Sequence, residues 1–378
     1  MNCPSLVNLG YEAFSLQLHE KVFQERIPVN GSFEMTMRCN LRCEHCYIPF
    51  SQRAGPRQGE LTLAEIQRIF GEIAEAGCLW LLLTGGEPLY RADLLEIAGY
   101  AGSRGLRTAL ATNGTMIDER IAARIGAAGF ERVSISIDGS TAASHDGFRG
   151  IPGSFEKALA GARCLATAGV GFQFNTTITR RNVGEIDDIL DLAASMKAKA
   201  LHAFMLVPVG CGVQIEASEM LDREHYEEVL VRLYHRTKDS PLEFKATCAP
   251  HYYRIIRQEA KREGRAITFE SDGMAAMTRG CLAGSGVCFI SHRGEVQPCG
   301  YLPLSAGNVL SKPFQEIWEN SALFRRLRDL DGLKGKCGAC EYKSFCAGCR
   351  ARSYHHSGDY MDEEPYCVYV PPRVRGKA

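Results

Sequence analysis

Between Phe33 and Met205 the chain alternates short, nearly all-apolar runs with longer stretches in which apolar side chains recur every three or four positions. The short runs, Phe33–Met37, Trp80–Thr84, Arg107–Ala111, Arg132–Ile137, Gly171–Thr177 and Ala200–Leu206, predict strands. Several have no polar face, as parallel strands covered on both sides require. The longer stretches predict helices at Thr62–Ala76, Ala92–Ser103, Asp118–Ala128, Ser154–Ala168 and Val183–Met196. In the first of these Leu63, Ile66, Ile69, Phe70 and Ile73 fall on one face, and Gly77 supplies the stop signal. Repeated strand–helix units imply a parallel α/β sheet with right-handed crossovers, either a partial (β/α)6 barrel of the TIM type or a doubly wound sheet; the repeat alone leaves both open.

Beyond the repeats the pattern changes twice. Asp222 to Glu270 is charged and helical in period, without strand alternation, and reads as a bridge. From Gly280 onward cysteines sit among glycines, prolines and short apolar pieces, with a helical pattern only near Phe314–Leu327. So little core needs a metal as its organising centre. The expected division is an N-terminal extension at 1–31, the barrel at 32–221, a helical bridge at 222–280 and a cysteine-rich domain at 281–378.

Charge removes some partners. The 44 basic and 44 acidic residues balance and no basic block stands out, so neither nucleic acid nor an anionic membrane is expected as a partner. Met1–His19 lacks a basic start followed by an apolar run, and no segment is apolar enough to span a bilayer, which gives a cytoplasmic expectation. In that reducing compartment 16 cysteines argue for metal ligation over disulfides.

Cys39, Cys43 and Cys46 form a C-x3-C-x2-C array just beyond the first strand, where catalytic groups collect in parallel barrels. Three thiols are one short of a closed four-thiolate site, and an open coordination position lets a metal bind a small molecule directly. A zinc site completed by His45 is the competing reading, although His45 would have to ligate from inside a tight turn. Downstream, Gly85-Gly86-Glu87-Pro88 follows the second strand, Asn113 the third, and Ser136 and Asp138 the fourth. Glycines allow close backbone approach and a carboxylate can receive an amine, while Asn-Gly and Asp-Gly serve equally as turns. The tail reads Cys281-x6-Cys288-x5-Gly294-x4-Cys299, then Cys337-x2-Cys340-x5-Cys346-x2-Cys349, then Cys367. Its eight thiols suit two four-thiolate clusters or a pair of zinc ribbons.

These motifs together resemble the radical S-adenosylmethionine (SAM) superfamily with a C-terminal SPASM domain. The resemblance implies a 4Fe–4S cluster on Cys39, Cys43 and Cys46 that cleaves S-adenosyl-L-methionine to a hydrogen-abstracting 5′-deoxyadenosyl radical, with His45 as the aromatic residue of the signature. It assigns Gly85, Gly86 and Glu87 to the methionine amine, Ser136 and Asp138 to the neighbourhood of ribose and methionine, and Arg149 to the methionine carboxylate, with Asn113 as a further contact. It also implies two auxiliary 4Fe–4S clusters, one on Cys281, Cys288, Cys299 and Cys349, the other on Cys337, Cys340, Cys346 and Cys367. Two residues separate Cys346 from Cys349 where the family has three, which leaves open the cluster that Cys349 joins. Cys78 and Cys164 read as buried structural thiols, and so do Cys211 and Cys248 in their loop-like settings.

A finer resemblance bears on substrate. Lys245–Tyr252, Phe289–Gly294, Val296–Tyr301 and Glu364–Cys367 are similar to segments of radical enzymes that act on tetrapyrrole side chains in the alternative haem pathway and in nitrite-reductase haem assembly. That resemblance implies decarboxylation of propionates or removal of acetates, with His251 or His202 offered as a ligand to the substrate's iron and a flavodoxin- or ferredoxin-type electron donor. Tyr11–Arg38 and Tyr47–Pro49 match that subgroup less well. A peptide or protein side chain is the alternative substrate, and a zinc-binding interaction protein without catalysis is the alternative class.

Overall fold

The computed structural model describes residues 28–53, 59–268, 272 and 279–375. The leader reading at Met1–His19, Cys3 and most of the extension at 1–31 lie outside the described residues.

Ten strands form one sheet: β1 Asn30–Glu34, β2 Trp80–Thr84, β3 Arg107–Thr112, β4 Arg132–Ser136, β5 Phe172–Ile178, β6 Ala200–Met205, β7 Glu243–Thr247, β8 Val287–Ile290, β9 Glu295–Gln297 and β10 Gly307–Asn308. Their order is β10-β9-β8-β1-β2-β3-β4-β5-β6-β7, parallel from β8 to β7 and antiparallel through β8, β9 and β10. Six consecutive parallel strands with helical crossovers are the partial barrel. Five of the six expected strands fall in place to within two residues at either end. The first begins earlier, because the polar Asn30-Gly31-Ser32 pairs with Trp80–Leu82 before the apolar run is reached.

The helix Leu63–Glu75 shows why the pattern reads well. Thr62 and Glu65 form a capping box at its start, and Ile66, Ile69, Phe70 and Ile73 bury the predicted face against the sheet. Thr62 accepts from Glu65 N while Glu65 receives Thr62 N, which satisfies two donors the helix start leaves open.

Two features differ from expectation. The bridge contains a strand: Leu242, Phe244 and Ala246 alternate with Glu243, Lys245 and Thr247, and β7 pairs in parallel with β6. The cysteine-rich domain has apolar weight of its own. Val296, Leu302, Val309, Phe314, Ile317, Trp318, Phe324 and Leu327 are buried and continuous with the barrel core, and β8 adds itself to β1. The domain is therefore seated on the barrel by sheet pairing as well as by its thiols. Among the described residues no helix is long and apolar enough to cross a membrane.

Candidate functional site

Three groups of thiols lie in the described structure, each beside buried arginines. The first follows β1. Cys39, Cys43 and Cys46 stand within electrostatic reach of one another, and burial pushes the Cys39 thiol up to about 11 and that of Cys46 up to about 12. The loop that carries them is pinned from both sides. Arg42 N and Glu44 N donate to the carbonyls of Arg149 and Phe148 at 3.0 and 3.2 Å, and Arg53 donates to Ile48 O at 2.8 Å and to Cys43 O at 3.3 Å.

His45 is sealed against Phe148, ring centroids 4.2 Å apart, with Nε2 3.6 Å from Asp138 Oδ2. Burial lowers its pKa to about 3 despite that carboxylate, so the imidazole is neutral at ordinary pH. Asp138, fully buried, pairs with Arg149 at 2.6 Å and accepts from Thr177 N at 2.7 Å. Arg149 also donates to Cys43 Sγ at 3.6 Å. One chain of contacts thus runs from the end of β4 through Asp138 and Arg149 to the cysteine loop. Ser136 closes β4 half-buried beside it.

The glycine segment packs on the cysteine loop. A Cβ on Gly85 would collide with the backbone of Thr36, and one on Gly86 would lie 2.5 Å from Met37 O and closer to Arg38 O. Gly86 N and Glu87 N donate to Thr36 O and Arg38 O, both at 2.7 Å. The approach these glycines permit is to the protein's own cysteine loop. Glu87 is fully buried, and its carboxylate accepts from Thr112 Oγ1 at 2.8 Å, Asn113 N at 2.8 Å and Leu89 N at 3.1 Å. Asn113 turns its amide to Asn40 Oδ1 at 2.8 Å and towards Cys39 Sγ at 3.9 Å.

The second group is Cys248, Cys281, Cys299 and Cys349, whose thiols act electrostatically on one another. Cys288 does not join them. It is the second residue of β8, opposite Gly31 at the start of β1, and its ionisable neighbours are Cys78 and Arg328. Cys248 takes the vacated position from the turn after β7, in a left-handed conformation with φ 54°. Such strain in a non-glycine residue gathers at functional sites.

Cys337, Cys340, Cys346 and Cys367 line one cavity and form the third group. The short Cys346-x2-Cys349 spacing works because Ala347 and Gly348 are both left-handed, φ 61° and 64°, and turn Cys349 away toward the second group. Glu364 ties the two groups together. It accepts from Cys349 N at 2.7 Å and from Arg352 Nε at 3.1 Å, while Glu364 N donates to Cys337 Sγ at 3.3 Å. Burial alone would raise its carboxyl, but the Arg352 guanidinium holds it at about 2. A depressed carboxylate stabilises the fold above the ordinary range near pH ~4.3 and loses that contribution as pH falls toward about 2. Glu364→Gln is accordingly expected to cost about 3 kcal/mol near neutral pH, the scale of breaking a buried pair, read as a lower denaturant midpoint of the anaerobic protein.

The donor sets fit anionic iron–sulfur clusters. Arg53 Nη1 and Arg149 Nε at the first group, Arg352 Nη1 at the second and Arg254 Nε at the third are buried nitrogens without a hydrogen-bond partner among the described residues. A buried guanidinium left unsatisfied beside thiols calls for an anion there, and cluster sulfurs accept such hydrogen bonds. Every described cysteine is a free thiol.

A cavity of about 540 Å³ is walled in part by Tyr47, Phe289 and Tyr301 and edged by Glu34, His292 and Arg293; Tyr47 follows Cys46 in the chain and Tyr301 lies two positions after Cys299. Tyr301 feels both Cys46 and Cys299, so its phenol stands between the two sets of thiols. The two histidines offered for a substrate metal lie elsewhere. His202 on β6 pairs with Gln173 Nε2 at 2.9 Å, and His251 is fully buried 3.9 Å from Glu364, beside the third group. Neither lines the 540 Å³ cavity.

Residues 33–193 match the radical SAM superfamily and residues 281–350 an iron–sulfur cluster-binding domain. An AdoMet-dependent heme synthase of Methanosarcina barkeri is 50% identical over 340 residues, 90% of this chain and 96% of that one. The chain belongs to the radical SAM superfamily. It is a radical SAM enzyme with a C-terminal SPASM domain, and as such binds S-adenosylmethionine and iron–sulfur. Another AdoMet-dependent heme synthase, from Nitratidesulfovibrio vulgaris, is 47% identical over 91% of this chain and 93% of its own. Among solved structures, SuiB of Streptococcus suis with bound S-adenosylmethionine has the same radical SAM fold, with a TM-score of 0.73 over 96% of this chain and 84% of that one at 17% identity.

Proposed function

We propose that this radical SAM enzyme modifies a carboxylate side chain of an iron tetrapyrrole. The observation that carries the reading is the 50% identity over 90% of the chain with an enzyme named as a heme synthase, joined to a cavity with an aromatic wall. Its volume, about 540 Å³, lies inside the roughly 300–1,000 Å³ range of small-molecule sites, and flat aromatic walls suit a planar ring.

Three 4Fe–4S clusters follow from the three groups: Cys39, Cys43 and Cys46 with S-adenosylmethionine, Cys248, Cys281, Cys299 and Cys349 as the nearer auxiliary set, and Cys337, Cys340, Cys346 and Cys367 as the farther one. When bound, the first cluster and its cofactor supply the hydrogen-abstracting radical. The chain's own residues hold and orient. Arg149 and Asp138 fix the cysteine loop, His45 and Phe148 exclude water behind it, and Tyr301 lines the passage to the nearer auxiliary set. Conversion of a propionate to a vinyl group removes one hydrogen atom, one carbon dioxide and one further electron. That electron needs an acceptor, which auxiliary clusters held by the second and third groups of thiols would supply, and a flavodoxin- or ferredoxin-type partner would supply the electron that starts each cycle.

The anaerobically reconstituted enzyme, given S-adenosylmethionine, a reductant and an iron porphyrin bearing propionates or acetates, is expected to release carbon dioxide or acetate in step with 5′-deoxyadenosine. Cleavage of S-adenosylmethionine with neither product, and no change in the porphyrin's mass, would remove the tetrapyrrole and leave a peptide or protein side chain as the substrate.

A further inference from the structure

The 540 Å³ cavity contains one arrangement to which the cluster and cofactor motifs assign no role. Glu34, at the end of β1, is 3% exposed, and its Oε2 lies 2.6 Å from His292 Nδ1. Tyr47 Oη donates to its other oxygen, Oε1, at 3.0 Å. His292 is 8% exposed, and its backbone is held at both ends: N donates to Glu34 Oε2 at 3.2 Å and O accepts from Leu61 N at 2.9 Å.

A carboxylate at Nδ1 makes that nitrogen the N–H of the ring and leaves Nε2 with its lone pair. Among the described residues Nε2 has no hydrogen-bond partner, and the residue lines the cavity. A buried imidazole oriented by a carboxylate, its second nitrogen free toward an empty space, is how proteins present histidine to a metal. Two further observations fix the class of metal compound. Tyr47 stands edge-on to Phe289 and Tyr301, with ring centroids 6.1 and 6.2 Å away, so one wall of the cavity is aromatic. The Arg293 guanidinium, next in the chain, lines the same cavity, packs against Gly59 and has no acidic partner among the described residues. A ring that brings its own equatorial ligands needs one axial donor and cations for its acidic arms.

We propose that His292 Nε2 is the axial ligand to the iron of the tetrapyrrole substrate, with Glu34 as its positioning residue and Arg293 receiving a substrate carboxylate. The proposal rests on the tetrapyrrole reading above. It replaces His251 and His202 as the histidine that meets substrate. Its consequence for function is that the iron sets the depth and tilt of the ring, and so selects which side chain faces the first thiol group.

The test uses the cluster-loaded protein with clusters oxidised, in which state they are silent in electron paramagnetic resonance. A ferric porphyrin tetrapropionate and its metal-free form are the probes. Wild type is expected to bind both, the ferric form with an imidazole-ligated spectrum. His292→Ala is expected to lose that spectrum and at least tenfold in affinity for the ferric form, to bind the metal-free form as wild type does, and to regain the spectrum with added imidazole. Glu34→Gln is expected to keep ligation with ferric-form affinity weakened about tenfold, at the lower end of the effect of removing a ligand's carboxylate partner. An unchanged imidazole spectrum in His292→Ala overturns the assignment while leaving the tetrapyrrole reading intact. If wild type binds neither probe, both fall. Equal loss of both probes in His292→Ala, with iron content unchanged, makes the residue a shaping element of the cavity and also overturns ligation.

Discussion

Cys248→Ala is expected to lose about four of about twelve irons, and Cys288→Ala none. The sequence motif favours the opposite result, because Cys288 stands among the tail cysteines and Cys248 lies 33 positions before the first of them. The sheet decides between them. Pairing of Cys288 with Gly31 fixes it at the start of β1, beside Cys78, whereas Cys248 leaves β7 at the end of the sheet where the reaction groups gather. Burial raises both thiols, but the neighbours that add to the effect are Cys349, Cys299 and Cys281 for Cys248, and Cys78 for Cys288. Iron and sulfide analysis of the two anaerobically reconstituted variants gives the answer, and substrate turnover should follow the iron: lost in Cys248→Ala, kept in Cys288→Ala. Loss of iron in Cys288→Ala with full loading of Cys248→Ala would restore the ligand set read from spacing.

What was legible and what was not follows from the range over which each signal acts. Buried parallel strands leave continuous apolar runs, so β2 to β6 and their helices could be read from local pattern alone. β7 could not be weighed correctly, since its alternation is only Leu242 to Thr247 long and is set between charged helices; its pairing with β6 makes it a strand. The thiol spacings located the right regions, but counting along the chain cannot separate Cys288 from Cys299: the antiparallel pairing of β8 with β9 leaves the two at the same end of the hairpin, yet Cys288 lies beside Cys78 and Arg328 and Cys299 beside Cys281 and Cys349. His292 lies inside Phe289–Gly294, one of the segments that resemble tetrapyrrole-modifying enzymes, but nothing in Ser291-His292-Arg293-Gly294 singles out the histidine. Its partner Glu34 is 258 positions away, and only the parallel pairing of β8 with β1 brings them together.

Gly86→Ala is expected to reduce S-adenosylmethionine cleavage at least a hundredfold through loss of the first cluster, while the irons of the two auxiliary sets remain. Read from sequence, Gly85 and Gly86 make room for a cofactor. In the folded chain that room is already occupied by the backbone of Thr36 to Arg38, and a methyl at position 86 falls 2.5 Å from Met37 O. Backbone atoms held by the 2.7 Å bonds from Gly86 N and Glu87 N cannot swing aside as a flexible side chain would. Overpacking a rigid contact costs about 1–3 kcal/mol or more, and the strand end that must yield leads directly into Cys39. The cost therefore appears as a displaced cysteine loop. Gly99→Ala is the matched control, since nothing lies within 4 Å of a Cβ there and the residue sits inside the helix Leu94–Ser103. That change should be neutral or stabilising by about 0.5–1 kcal/mol. The two accounts of Gly86 part on one measurement. Full iron content with a raised requirement for S-adenosylmethionine would mean that the glycine serves the cofactor; about four irons lost, with the auxiliary irons retained, means that it serves the loop that holds the first cluster.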